Sequence, residues 1–236
     1  EDRILVTALE QRVGLDLCAV AADEDGVARL AASVIDGLIG PTDVIGIAWG
    51  STLAAVVREI PTRHGSAIEV VQLAGSSARL DRGRDAGELA RILADRLGAI
   101  HHPIFAPTFV ETPALRAALL RETEVATTVA RFATLDLAIV GIGAMPADGV
   151  GAASSLLRSG VLAETEVSHL VTLGAVGDLV VHPFDATGPR WRAAMPPSRA
   201  SRATSRGRRL PGSGGVVSIN GVISSAISPS SASNAG

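Results

Sequence analysis

Apolar positions along this chain follow two alternating rhythms. Short runs rich in β-branched residues, Val44 to Ala48, Ile68 to Leu73 and Leu137 to Ile142, are too short for freestanding helices and read as interior strands. Between them the spacing becomes helical. "ARLAASVIDGLIG" puts Leu30, Val34, Leu38 and Ile39 on one face and stops at Gly40-Pro41, and Leu53, Val56, Val57 and Ile60 recur until Pro61. From Asp85 to Leu97 an amphipathic helix turns Leu89, Ile92, Leu93 and Leu97 inward. "HHPIFAPTFV" holds two prolines and predicts a short strand and loop, so His101 and His102 are expected in a loop. "TPALRAALLRETEVATTVARFATL" predicts one or two helices, with Thr112 as cap and Pro113 at the first helical position. A helix and a further apolar strand precede "LGAVGDLVVHPFDATG". Strands alternating with helices predict an α/β fold, an open and mostly parallel sheet with helices on both faces.

In such a sheet ligands bind across the strand C-termini, and there the sequence repeatedly places glycine and serine. The first strand ends at Gly50, Ser51 and Thr52, the second at Gly75, Ser76 and Ser77, and the third opens into glycines that include Gly143. A strand entering a helix through glycine presents backbone N–H groups at the positive end of the helix dipole, an anion site for which phosphate is the natural occupant. The plainer reading is that Gly50 allows a tight turn and Ser51 or Thr52 caps the helix. Asp178 has the same ambiguity: a Gly-Asp corner suits either a helix cap or a carboxylate accepting from ligand hydroxyls.

Composition narrows the chemistry. All 21 basic residues are arginine, which removes Schiff-base lysines and lysine phosphate clamps. Aromatics are only 3% with no tyrosine, so there is no platform for stacking nucleic-acid bases. The single cysteine, Cys18, excludes an internal disulfide and reads as a small buried apolar residue. Adjacent His101 and His102 diverge and lack a third ligand at useful spacing, and His169 and His182 are isolated, so no metal is expected. "GIGAMP" has Pro146 where a dinucleotide fingerprint needs its third glycine, and no Gly-x-Ser-x-Gly, phosphate loop or His-Glu-x-x-His occurs, so no catalytic residue and no cofactor is assigned. No apolar run reaches membrane-spanning length and the start lacks a signal peptide, so a cytoplasmic protein without membrane contact is expected; Glu1 in place of methionine suggests a fragment or processed form.

Charge divides the chain at residue 188. Residues 1–188 carry all 24 acidic residues and 14 of the arginines, a formal charge of −10, whereas residues 189–236 hold the other 7 arginines and no acid. This Arg, Ser, Pro and Gly-rich tail lacks sustained periodicity beyond the run Val216 to Ile219 and is expected to be largely disordered. A basic nucleic-acid tail and a reading-frame change are the other readings of it.

Ala8-Leu9-Glu10…Gly14-Leu15, Trp49-Gly50-Ser51-Thr52-Leu53, Gln72-Leu73-Ala74-Gly75, Ala106-Pro107, Val140-Gly141-Ile142-Gly143, and Gly174-Ala175-Val176-Gly177-Asp178 with Phe184-Asp185 and Gly188 occur in this order. Their succession and spacing resemble the sugar-binding domain of the SorC family of bacterial transcriptional regulators, from about residue 7 to residue 188. The resemblance implies a Rossmann-like fold related to the sugar-phosphate isomerase and coenzyme A transferase group. It also implies a phosphorylated sugar effector, a dimer or tetramer, and DNA binding only through a helix-turn-helix that this chain does not contain. It assigns phosphate to Gly50, Ser51 and Thr52, the neighbouring strand end to Gly75 and Ser76, close backbone approach to Gly143, and sugar hydroxyls to Asp178. The family's phosphate-holding lysine, past residue 188, has no counterpart in the tail. The expectation is therefore a sugar-phosphate effector domain over 1–188 followed by an atypical tail over 189–236. A sugar-phosphate isomerase-like enzyme of the same fold group is the alternative.

Overall fold

The computed structural model describes residues 3–13, 17–64, 67–78, 82–145, 160, 162–186 and 215–219. The expectation of a disordered tail falls mostly on residues outside this set, as do Gly14, Leu15 and Gly188.

Four parallel strands lie in the order β3 (Ile100–His102), β2 (Glu69–Gln72), β1 (Val44–Ile47), β4 (Leu137–Ala144). The helices are α1 (Arg3–Val13), α2 (Glu24–Leu38), α3 (Ser51–Glu59), α4 (Ala86–Leu97), α5 (Pro113–Leu119), α6 (Thr123–Ala130) and α7 (Glu164–Thr172). Every residue of β1 is buried, which is why it reads as an unbroken apolar run: a central parallel strand is covered on both faces. α4 packs on β1, β2 and β3, and the turn at 131–134 also meets β1.

β4 outlasts its neighbours. Its first residues pair with β1 on one edge and, on the other, with β7 (Gly215–Ile219), a parallel strand formed around the one apolar run of the tail. Its last residues, Ile142 to Ala144, pair antiparallel with β5 (Ala175–Leu179), which turns back through β6 (His182–Asp185). The sheet is thus mixed but mostly parallel. The two-residue turn of the β5–β6 hairpin puts both Val180 (φ 48°) and Val181 (φ 61°) in the left-handed region. Primed hairpin turns need positive φ there and usually use Asn-Gly; valine costs about 1–2 kcal/mol per residue. Val181 is 4% exposed, and that burial offsets the strain.

Several local expectations are revised. The inward face of α2 is Ala28, Ala32 and Ile35, with Ile39 just beyond the helix, while Leu38 is half exposed; small alanines let α2 lie close against α3. His101 and His102 sit in edge strand β3 rather than a loop, on opposite faces. His102 Nε2 lies 2.7 Å from Glu69 Oε2, and His101 faces α4. Cys18 is half-buried, its backbone N–H donating to Glu10. Thr112 caps α5 through Leu115 N with Pro113 at the first position, as the sequence predicts, and Asp85 caps α4 through Gly87 N.

Candidate functional site

The loops after β1, β2 and β3 meet at one edge of the sheet. After β1, Ala48 N still donates to Ile139 O of β4, and the chain then turns through Gly50 into α3. Gly50 is the residue before the helix, with φ 136° and ψ 161°, a conformation closed to most L side chains, and no side chain caps the helix there. The capping reading of Ser51 and Thr52 is therefore not what the structure shows: both lie inside the first turn of α3, half-buried. By contrast Asp23, Asp85 and Thr112 accept from first-turn amides of α2, α4 and α5. Gly50 N donates to Arg84 O (3.2 Å), which ties this corner to the 82–84 turn ahead of α4.

The corner after β2 is built around a close backbone approach. A Cβ on Gly75 would lie 2.5 Å from Ala106 O and 2.5 Å from the Pro107 carbonyl carbon, so only glycine lets the 106–107 loop pass. Ser76 N donates to Ala106 O, Thr108 N to Ser76 O (both 3.0 Å), and Thr108 Oγ1 to Gly75 O (2.5 Å). Buried Gln72 is the internal strut: its amide donates to Ala74 O (2.6 Å) and reaches Ser76 Oγ (3.3 Å), while its Oε1 accepts from Ile104 N (2.9 Å). Asp85 joins the corner to α4, taking Ser77 N on one oxygen and Gly87 N on the other.

Gly143 and Asp178 are brought together. They are direct partners across β4 and β5, and Asp178 is 6% exposed, a strand residue and not a helix cap. Gly177 beside it must also be glycine, since a Cβ would lie 2.6 Å from Gly143 O. The structure thus gathers the seven sequence-predicted residues into three corners: Gly50 to Thr52, Gly75 with Ser76, and Gly143 with Asp178.

A family model for a sugar-binding domain matches residues 4–199. The chain belongs to the sugar-binding domain family of SorC-type transcriptional regulators. It is 32% identical over 200 residues to the erythritol catabolism regulatory protein EryD of Brucella abortus (strain 2308), covering 81% of this chain and 61% of that protein. It is 31% identical over 154 residues to the sorbitol operon regulator of Klebsiella pneumoniae, covering 61% of this chain and 49% of that protein. The chain therefore spans between about half and three fifths of the length of these relatives. The solved structure of the full-length sorbitol operon regulator SorC from Klebsiella pneumoniae superposes with a TM-score of 0.73 at 25% identity, over 84% of this chain and 65% of that one.

Within this sugar-binding domain, sequence reasoning missed the roles of Gln72, Thr108 and Asp85, which hold the glycine corners in place. Gln72 had a signal, a polar residue closing an apolar strand. Thr108 had none, because its partner lies 33 residues away. Among the described residues no group of three or more His, Cys, Asp or Glu side chains is placed to hold a metal ion, and no helix is long and apolar enough to cross a membrane.

Proposed function

We propose that this domain binds a phosphorylated sugar as the effector of a sugar-operon regulator, without turning it over. Through subunit contacts in a dimer or tetramer, binding alters the DNA affinity of a helix-turn-helix outside these 236 residues, in the cytoplasm. The observation that carries this reading is the glycine start of α3: it makes no side-chain cap at the C-terminal end of a fully buried parallel strand. First-turn amides without a capping side chain, at the positive end of a helix, suit a dianionic phosphate, each charge-assisted bond contributing about 1.5–3 kcal/mol. Thr52, one residue into the helix, adds a hydroxyl. Buried Asp178 beside Gly143 offers carboxylate acceptors to sugar hydroxyls while the glycine leaves room for the ring. The names of the relatives, a sorbitol operon regulator and an erythritol catabolism regulatory protein, support a polyol or sugar ligand class.

Thermal unfolding with paired phosphorylated and plain sugars tests this. A ligand that binds only the folded state at a hundredfold excess over its Kd stabilises by about 2.7 kcal/mol. The phosphorylated member of a pair is expected to raise Tm and the plain sugar not, with Thr52→Val shrinking the shift relative to that variant's own unliganded Tm. Equal shifts for both members refute phosphate recognition. Incubation with a sugar-phosphate panel separates binder from isomerase: the expected result is no interconversion.

A further inference from the structure

Beside the Gly75 corner lies a half-open cavity of about 170 Å³ that the phosphate and sugar assignments do not use. Its walls include Leu73 just after β2, Ile104 after β3, Leu119 of α5, Val125 and Val129 of α6 with Phe132 beyond it, and Val181 of the strained hairpin turn. Apolar surface predominates in its lining, and two of its polar side chains are engaged with the backbone. Thr108 Oγ1 donates to Gly75 O, and His182 Nδ1 sits 2.6 Å from Val180 O. Arg116 of α5 is the one charged lining residue. Gly75 belongs both to the cavity wall and to the corner assigned to the effector, so the cavity adjoins that corner.

We infer that this cavity is an apolar subsite, and that the effector is a glycoside phosphate whose aryl or branched-alkyl group fills it. The inference rests on the sugar-phosphate reading above for the polar half of the ligand and on the cavity alone for the apolar half. A hydroxyl-rich extension is the wrong occupant, because each hydroxyl placed against Leu73, Val125 or Phe132 would lose its hydrogen bonds to water and find none. Size sets the other limit. An apolar cavity of about 150 Å³ stays dry and accepts benzene, so 170 Å³ suits one six-membered carbon ring or a short branched chain. The Val180–Val181 turn supports the assignment: backbone strain is held where it places a valine side chain into the cavity wall.

Three measurements on the full chain test it. Benzene titrated into the protein is expected to give saturable methyl shifts confined to the lining residues, Leu73, Ile104, Leu119, Val125, Val129 and Val181 among them; absent shifts, or shifts centred elsewhere, overturn the subsite. Phenyl glycoside phosphates are expected to bind at least about tenfold tighter than the parent sugar phosphates, the gain coming from apolar burial. Equal or weaker binding overturns the ligand class. Val129→Phe, or Val110→Phe in the lining segment after β3 if the first variant does not fold, is expected to abolish benzene binding and erase the phenyl advantage while leaving the parent sugar phosphate bound. Retention of the phenyl advantage in the filled variant overturns the proposal. Should no sugar phosphate bind while benzene still seats at Val125 and Val181, the effector reading fails and the apolar site stands.

Discussion

Replacing Gly75 by alanine gives a sharp test of how the ligand-facing edge is held. The new Cβ would lie 2.5–2.6 Å from three backbone atoms of Ala106 and Pro107, where ordinary contact begins near 3.4 Å. Because these are backbone atoms, relief requires the whole 106–107 loop to retreat. Three bonds depend on that loop's position: Ser76 N to Ala106 O, Thr108 N to Ser76 O, and Thr108 Oγ1 to Gly75 O. Overpacking costs about 1–3 kcal/mol, and each weakened hydrogen bond up to about 1 kcal/mol more. Against this, alanine narrows the unfolded ensemble and returns about 0.4–1 kcal/mol. Gly75 is not among the positive-φ glycines, so the loss is steric and not conformational. The net expectation is a destabilisation of about 2 kcal/mol, or roughly 4–8 °C in Tm for a domain of this size. Gly37→Ala is the matched control: its Cβ meets nothing within 4 Å, and it lies in the last turn of α2, so a gain of up to about 1 kcal/mol is expected. Thermal and urea unfolding of the two variants should give shifts of opposite sign. A Gly75→Ala protein as stable as the parent would refute the claim that loop closure requires this glycine.

The other tests are smaller. Asp85→Ala removes the α4 cap and the anchor for Ser77 N together, and urea titration should register about 1–2 kcal/mol of lost stability. Gln72→Leu keeps the volume but leaves Ala74 O and Ile104 N without a buried partner, so a loss of about 1–3 kcal/mol is expected by the same titration. His101 is held below its ordinary 6.5, chiefly by burial and next by neighbouring His102, with Asp95 opposing and Arg91 assisting. Below pH 6.5 the unfolded chain therefore takes up more protons at this site, so stability falls as pH drops through 6.5 toward the lower folded-state value. His101→Gln should flatten that part of a Tm-versus-pH curve, and an unchanged slope would exclude His101 as its source. Val180→Gly should relieve the left-handed turn at little packing cost and raise or maintain Tm, whereas Val181→Gly should lower it through the lost buried side chain.

Local periodicity was enough to locate β1, β2, α3, α4 and the helices after Thr112, because a buried strand, an amphipathic helix and a Thr-Pro start are each written within about ten neighbouring residues. The same local information placed glycine and serine at the strand C-termini, and with them the candidate residues from Gly50 to Ser76. What it could not reach was anything set by pairing between distant segments. Leu38 and Ala32 are both apolar, and only the docking of α2 on α3 turned alanine inward and left leucine half exposed. His101 and His102 looked like loop residues leading into the prolines at 103 and 107, and it was β2 that recruited them as an edge strand. Asp178 fitted a helix cap until the antiparallel return of β5 set it opposite Gly143, 35 residues earlier. Gly75 is glycine for a reason absent from its neighbours in sequence: a loop 31 residues on passes too close for a Cβ. Backbone torsion preferences act over a turn or two and are legible in the chain, whereas strand register and close approach depend on which surfaces collapse together, and only the folded sheet decides that.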